Sequence, residues 1–586
     1  MQEKKLISED TLASAANLQR NNPIVGLLAR VARIDEVNHL YEDVCKAEGL
    51  DAIDRIFSYL DLHLDFDKSQ LAHIPKEGPF IIVSNHPFGA LDGIALIRAV
   101  ADVRPDFKVM ANFLLQNVEP IKDFFLSVNP FENSKTAYSN IAGIKAAIAH
   151  IEQGLPLGIF PAGEVSTYQS GMRTISDRKW QNSALKMVKN AGVPVIPVYF
   201  DGGNSRLFHL LGRIHPNLRT LALPSEMLKK KGQQLKLRIG KPILPKDTAM
   251  FGSVEQYGRY LRAKTYALGS SFEVRREYFR LFSKQQKVEE IIAPVEQQKL
   301  DGEIARIQEF KTLSYDNFDC YVVDSRHIPH LLREIGRLRE VTFRAVGEGT
   351  NKSIDIDEYD LYYHHLILWD REAKKIAGAY RVGNGAEIMA RYGARGFYIS
   401  SLFKMNKKMN GILGQSLELG RSFIVQEYQR HRLSLFLLWK GILYYLISNS
   451  AFRYIIGPVS ISNNYRDVSK ELIIRFIEQH HFDAELAKWV QPRNAFKPKV
   501  NNVDTDALIQ SSQADMKKMD KIISEIEPSS YTMPVLLKKY LQQNAKIMAF
   551  NCDPKFNNAL DGLMYLDLQN LPADTVETLQ REMVGQ

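Results

Sequence analysis

Residues 79–98 read Pro79-Phe80-Ile81-Ile82-Val83-Ser84-Asn85-His86-Pro87-Phe88-Gly89-Ala90-Leu91-Asp92-Gly93-Ile94-Ala95-Leu96-Ile97-Arg98. Pro79 to Val83 is a short apolar run of the length and β-branched content of a buried strand, and Gly93 onward has the apolar continuity of a helix. Between them lies a loop punctuated by Pro87 and Gly89. A strand–loop–helix passage at the carboxyl edge of a sheet is a favoured place for chemistry. The loop carries His86 and, six positions on, Asp92. An imidazole titrating near neutrality takes a proton from a hydroxyl, and a carboxylate beside it fixes the tautomer and stabilises the imidazolium. Such a pair suits attack by a hydroxyl on an activated acyl group. The same two residues also suit a purely local task, capping the turn and the following helix.

Outward from this stretch, apolar runs at Phe107–Met110, Pro156–Phe160 and Val195–Phe200 alternate with segments of helical composition such as Tyr138–Gln153. That rhythm predicts an α/β domain with a largely parallel sheet. It places Phe160-Pro161-Ala162-Gly163-Glu164 at the end of a strand, facing the same edge as His86. Leu235–Ile239 adds a strand, and Val254–Ser283 a closing helical region.

Three blocks now stand in order: Asn85-His86 with Asp92, Phe160-Pro161-Ala162-Gly163-Glu164, and Val193-Pro194-Val195-Ile196-Pro197-Val198. Together they resemble the lysophosphatidic acid acyltransferase superfamily. The His–Asp interval is one residue longer than is usual there, and the acid of the second block is displaced to Glu164, as in the branch labelled haemolysin-related. The resemblance implies transfer of a fatty acyl group from acyl carrier protein or coenzyme A to a lipid hydroxyl. It further implies that His86 and Asp92 are catalytic and that Asn85, Glu164, Ser166 and Arg173 line the place where the acceptor's head group binds. Glu164 suits an ammonium and Arg173 a carboxylate or phosphate, while a helix cap and a solvated cation are their plainer readings.

The chain has 586 residues, 45% hydrophobic and 24% charged. That length exceeds what one core serves, and the composition excludes a disordered chain. The formal charge of +9 suits an anionic membrane surface or an acidic carrier protein, and lacks the concentrated footprint of a nucleic-acid binder. The three cysteines, Cys45, Cys320 and Cys552, lie far apart in no disulfide or metal spacing, which points to a reducing compartment and no bound metal. No apolar stretch reaches the roughly 18 residues of a spanning helix, since Leu435–Ile447 is short and broken by Lys440. The expected location is cytoplasmic, peripheral on the inner face of the membrane.

The domain division expected is a polar tail at 1–21, an acyltransferase-like domain at 22–284, a Gln/Glu/Lys-rich linker at 285–305, and a second domain at 306–586 whose part beyond Tyr531 is an appendage. In the tail-proximal region Ile24, Leu27, Leu28, Val31 and Ile34 form a stripe at helical spacing, continued by Val37 and Leu40. It packs on the domain or lies in the lipid headgroup layer.

Past the linker, Tyr321–Val323, Leu366–Trp369, Ile376–Val382 and Phe397–Ser400 look like neighbouring strands, flanked by helices at Leu331–Phe343 and Leu413–Tyr428. This predicts an α+β fold. Asp355, Asp357 and Asp360 form an acidic loop, Arg381 ends a strand, and Glu418 and Arg421, three apart on a helix, share one face and can pair. With Arg339 and Phe343, this set resembles the acyl-carrier-protein-dependent N-acyltransferases related to acyl-homoserine lactone synthases, a GNAT-like group. Among these it is most similar to enzymes making lyso-ornithine or N-acyl-glycine lipids. The resemblance implies attack by an amino acid's amine on an acyl thioester, with Asp357, Asp360 and Glu418 catalytic and Arg339, Phe343, Arg381 and Arg421 binding substrate. A pyrophosphate loop for coenzyme A is not apparent, which favours acyl carrier protein, received by Lys404, Lys407 and Lys408 or by Lys229–Lys231.

The expectation is therefore an α/β glycerolipid-acyltransferase-like domain followed by an α+β GNAT-like domain, with no bound cofactor. The two resemblances together imply that such a chain N-acylates an amino acid with a 3-hydroxyacyl chain from acyl carrier protein and then O-acylates the hydroxyl of the resulting lyso-lipid. A phospholipid acyltransferase with a carrier-binding second domain, and a non-enzymatic membrane-surface protein, are the alternatives.

Overall fold

Ile81, Ile82 and Val83 are fully buried because the strand they form has a neighbour on each side and a helix against it. The structure, a computed structural model, describes residues 6–8, 10, 19, 22, 25, 26, 29 and 30, and then 32–584 except 113–114, 116, 129–136, 170–173, 215, 273–287, 432, 450, 501 and 530. The chain divides into two units, Met1–Val274 with Val500–Ser530, and Arg275–Lys499 with Tyr531–Gln586.

The first unit is built on strands β1 (His63–Asp65), β2 (Ile81–Ser84), β3 (Lys108–Asn112), β4 (Phe125–Val128), β5 (Leu157–Ile159), β8 (Val195–Asp201) and β9 (Gln234–Ile239), with a small hairpin of β6 (Thr167–Gln169) and β7 (Thr174–Ser176). The sheet order is β1-β9-β8-β2-β5-β3-β4, and only the β8–β9 pair is antiparallel. Strands flanked on both faces read as unbroken apolar runs, which is why β2 and β8 were legible. Val83 pairs with Ile159, so the loops leaving β2 and β5 emerge side by side at one edge.

Helices Ile34–Val44 and Gly49–Tyr59 turn Val37, Leu40, Tyr41, Val44, Ala52, Ile53 and Ile56 into the same core as helix Ala90–Ala101. The end of the N-terminal stripe is thus core rather than lipid-facing; Ile24, Leu27, Leu28 and Val31 lie outside the described residues. The two helices Thr505–Ser512 and Met516–Ile526 also belong to this unit, packing on helix Val254–Leu268. They bury Leu508, Ile509, Met519, Ile522, Ile523 and Ile526. The expected second domain at 306–586 is corrected accordingly: its residues 500–530 fold with the first unit.

The second unit holds a sheet of β10 (Lys311–Tyr315), β11 (Phe318–Asp324), β12 (His364–Asp370), β13 (Lys375–Asn384), β15 (Ser416–Ile424), β16 (Tyr454–Ile461), β18 (Lys546–Asp553) and β19 (Ala559–Asp567), ordered β10-β11-β12-β13-β15-β16-β19-β18. Every pair is antiparallel except β15–β16, which helix Ser434–Ile447 connects. Strands β14 (Phe403–Met405) and β17 (Val490–Pro492) pair separately.

Three expectations fail in this unit. Leu413–Tyr428 is not a helix: Ser416–Ile424 is β15, because pairing with β13 and β16 outweighs the helical preference of Leu and Glu. Phe397–Ser400 is not a strand but a turn leading into the short helix Ile399–Leu402. The stretch beyond Tyr531 is no appendage, since it supplies β18 and β19. Among the described residues no helix is long and apolar enough to cross a membrane.

Candidate active sites

At the end of β2 the chain turns through Gly89, whose φ of 90° disfavours any side chain and whose Cβ would meet Leu223 Cδ2 at 3.0 Å. The helix Ala90–Ala101 then starts with Asp92 in its first turn, completely buried. Asp92 Oδ2 accepts from Phe88 N at 2.9 Å, from Gly89 N at 3.0 Å and from His86 Nδ1 at 2.8 Å. The carboxylate therefore performs both tasks weighed from the sequence, capping the helix and holding the imidazole. Its Oδ1 has no hydrogen-bond partner among the described residues. Burial pushes the Asp92 carboxyl up, against the hydrogen bond and charge of His86 and the two backbone donors. With Nδ1–H donated to a carboxylate, Nε2 is the nitrogen left to accept a proton. The imidazole, 18% exposed, stacks on Phe160 at 4.3 Å between ring centres.

The β5 loop is tied to the β2 loop. Ser166 N donates to His86 O at 2.8 Å, and both loops converge on Asp177, a buried carboxylate that sequence reasoning missed. Asp177 Oδ1 accepts from His86 N at 3.2 Å and from Ser166 Oγ at 2.5 Å, while Oδ2 accepts from Trp180 Nε1 at 3.0 Å. Two of the expected binding groups are engaged within the protein itself. Ser166 directs its hydroxyl to Asp177, and Asn85 bridges strands by donating to Phe200 O at 2.9 Å and accepting from Phe200 N at 2.8 Å. Glu164 pairs with Arg219 at 2.8 Å and Arg178 at 3.3 Å. Arg173 lies outside the described residues.

In the second unit, Arg339 of helix Pro329–Ala345 forms two parallel hydrogen bonds of 2.9 Å to Asp360, with both side chains buried. Arg381 Nη1 donates to Asp357 Oδ1 at 2.6 Å and lies 3.5 Å from Asp360. Arg421 reaches Asp357 at 3.5 Å and Asp355 at 3.4 Å. Burial alone would raise Asp360, but the guanidinium groups of Arg339 and Arg381 hold it well below the ordinary carboxylate range. The rings of Tyr359, Tyr363 and Tyr398 surround Arg381 at 5.1–5.3 Å.

Glu418 and Arg421 do not pair as helical neighbours. A bulge in β15, with Arg421 at φ 50°, brings Arg421 to the carboxylate loop. Glu418 instead accepts from the Tyr363 hydroxyl, from Tyr398 N at 3.2 Å and from Ile399 N at 2.8 Å. Burial pushes the Glu418 carboxyl up to about 7 despite these donors and the charge of Arg381. Being 1% exposed, Glu418 meets no solute directly, whereas the Asp357 side chain is 26% exposed and is the open carboxylate of the cluster. Phe343 packs against the apolar core around Leu331 and Ile335. Tyr363 and Tyr398 were not foreseen, although the run Tyr362-Tyr363-His364-His365 was a signal. Asp561 of β19 was missed too; it accepts from Ser460 Oγ at 2.6 Å, and burial pushes it up to about 7.

One centre pairs an imidazole with a buried carboxylate, and the other gathers carboxylates and guanidinium groups on a mainly antiparallel sheet. Residues 13–275 match the acyltransferase family model, and residues 338–440 match that of the acetyltransferase (GNAT) domain. The chain is thus an acyltransferase with two folds in one polypeptide. It is 32% identical to a glycine N(alpha)-acyltransferase of Bacteroides thetaiotaomicron over 276 residues, 45% of this chain and 80% of that protein. Its identity to the enzyme of the same name from Phocaeicola vulgatus is 30%, over 45% of this chain and 83% of that one. A lyso-glycine lipid O-acyltransferase of B. thetaiotaomicron is 28% identical over 253 residues, 42% of this chain and 89% of that protein. The chain belongs to the family of bacterial aminolipid acyltransferases that these enzymes represent.

Proposed function

We propose that the chain builds a glycine lipid by two acyl transfers, the second unit acylating the amine of glycine and the first acylating the hydroxyl of the lyso-lipid. The observation that carries this reading is the presence of two chemically distinct proton-handling centres in one polypeptide, His86–Asp92 and the Asp357–Arg381–Arg421 cluster. Relatives whose names divide the same two steps support it.

In the N-acyl step the amine attacks the thioester carbonyl, a C–N bond forms, the C–S bond breaks, and the thiolate leaves with a proton. Asp357 holds the incoming ammonium and Arg421 its carboxylate, with Glu418 exchanging protons through the Tyr363 hydroxyl. In the O-acyl step His86 Nε2 takes the proton of the lipid hydroxyl, Asp92 stabilises the imidazolium, and the proton passes to the departing thiolate. The donor is acyl carrier protein. The exposed Lys404, Lys407 and Lys408 suit its acidic surface, whereas Lys229 is already paired with Glu226 and Lys230 donates to Gly203 O. The site of action is the inner face of the cytoplasmic membrane, where the lyso-lipid resides.

Purified chain supplied with acyl carrier protein or coenzyme A thioesters, and with glycine, ornithine or lysophosphatidic acid as acceptor, tests the assignment by mass spectrometry. Amide formation on glycine is expected, fastest from the carrier protein. Acylation of lysophosphatidic acid without any amide product would overturn it.

A further inference from the structure

Asp177 is buried to 2% exposure, and among the described residues no cationic side chain bonds its carboxylate. Three neutral donors hold it instead, from three separate segments: the His86 backbone after β2, the Ser166 hydroxyl after β5, and the Trp180 indole after β7. Among the described residues only neutral donors meet this buried carboxylate, and burying a charge in that way is costly, so the position is demanding in a way that simple packing is not. Its geometric result is specific, because one carboxylate fixes the backbone of the catalytic histidine against the neighbouring loop.

The backbone of Asp177 is itself held. Its N–H donates to the Tyr266 hydroxyl at 2.8 Å, and its carbonyl accepts from Arg262 Nη2 at 3.2 Å. Arg262 lies over the Tyr266 ring at 4.3 Å and donates through Nη1 to Asn502 O at 3.4 Å. Asn502 lies in the stretch, Val500–Ser530, that the first unit takes from late in the chain. Arg259 pairs with Asp504, and buried Lys264 pairs with Glu525, so the helix is clasped on both sides of Arg262. Arg238 adds hydrogen bonds to the carbonyls of Glu525 and Ile526.

We propose that Asp177 is the positioning residue of the His86 centre, and that residues 502–526 are a brace which sets Asp177 through Arg262. This rests on the assignment of O-acyl transfer to His86. The O-acyl centre is then completed by sequence that lies beyond the GNAT-matching region, so O-acyl transfer depends on residues 502–526.

The test uses the full chain, with a 3-hydroxyacyl-glycine as acceptor and the N-acyl rate of the same preparation as the folding control. Asp177→Ala should lower the O-acyl kcat on the order of a hundredfold with KM for the acceptor unchanged, as misplacement of a catalytic group does. Asp177→Asn keeps an oxygen for His86 N and Ser166 Oγ but turns its amide toward the Trp180 N–H. Adding Trp180→Phe removes that clash of donors and should restore kcat toward wild type. Glu525→Gln, which leaves Lys264 buried without its carboxylate, should lower O-acyl kcat and spare N-acyl transfer. Wild-type kcat in Asp177→Ala, alongside a dead His86→Ala, would overturn the positioning role. If Asp177→Ala loses both activities, the Asn pair decides, and no recovery on adding Trp180→Phe overturns the proposal. Unchanged O-acyl kcat in Glu525→Gln would overturn the brace. Activity surviving in His86→Ala would instead remove the O-acyl assignment itself.

Discussion

Asp92→Asn separates the two tasks of the buried carboxylate. All three donors, Phe88 N, Gly89 N and His86 Nδ1, converge on Oδ2 at 2.8–3.0 Å, and Oδ1 has no partner among the described residues. An asparagine oxygen in the Oδ2 position keeps all three bonds, and its amide nitrogen takes the place of Oδ1. The helix cap survives, so the folding free energy should stay within about 1 kcal/mol of wild type, whereas Asp92→Ala should cost about 1–2 kcal/mol as two N–H groups lose their acceptor. What Asn lacks is the negative charge that stabilises the imidazolium during proton transfer. A positioned base contributes about 10²–10⁴-fold, and a charge-assisted bond is roughly twice as strong as a neutral one, so O-acyl kcat should fall on the order of 10²-fold. The measurement is steady-state O-acyl transfer beside denaturant unfolding of the same variants. Near-wild-type kcat in Asp92→Asn would reduce this residue to a helix cap and refute its catalytic assignment.

Arg339→Met leaves Asp360 buried without its two-bond partner, and should cost about 3–5 kcal/mol in the denaturant unfolding of the second unit, with loss of N-acyl transfer. Glu418, held at about 7, loses its proton as pH rises through neutrality, so N-acyl activity should climb over that range. Tyr363→Phe removes the hydroxyl through which Glu418 exchanges protons, so N-acyl kcat should fall, and because that hydroxyl lowers the Glu418 pKa the activity that remains should climb at higher pH; a wild-type rate with an unmoved profile would exclude Glu418 from the proton path. Charge reversal at Lys404, Lys407 and Lys408 should raise KM for acyl carrier protein thioesters but not for a short acyl thioester, and equal effects on both would exclude these lysines as the docking site.

The first centre was largely legible because its parts are close in sequence. An apolar run, a loop and a helix start lie within twenty residues, and parallel strands buried on both faces betray themselves by composition. Asp177 was not legible, since Ser176-Asp177-Arg178-Lys179 has the look of a solvated loop and only the tertiary fold brings it to His86. In the second unit the charged residues were recognised but the element carrying two of them was not. Ser416–Ile424 has a helix-compatible composition, and its strand form is imposed by β13 and β16. The destination of residues 505–526 was equally hidden. Two amphipathic helices pack on whatever apolar face the fold presents, and the Lys264–Glu525 pair joins residues far apart in the chain.

The most direct test is lipid mass spectrometry of an aminolipid-free bacterial host expressing the wild type, His86→Ala and Asp357→Asn. Wild type should yield a diacyl glycine lipid, His86→Ala should stop at the monoacyl amide, and Asp357→Asn should yield neither. A diacyl glycine lipid made by His86→Ala, or altered phospholipid acylation with no amide-linked lipid in the wild type, would contradict the two-step assignment.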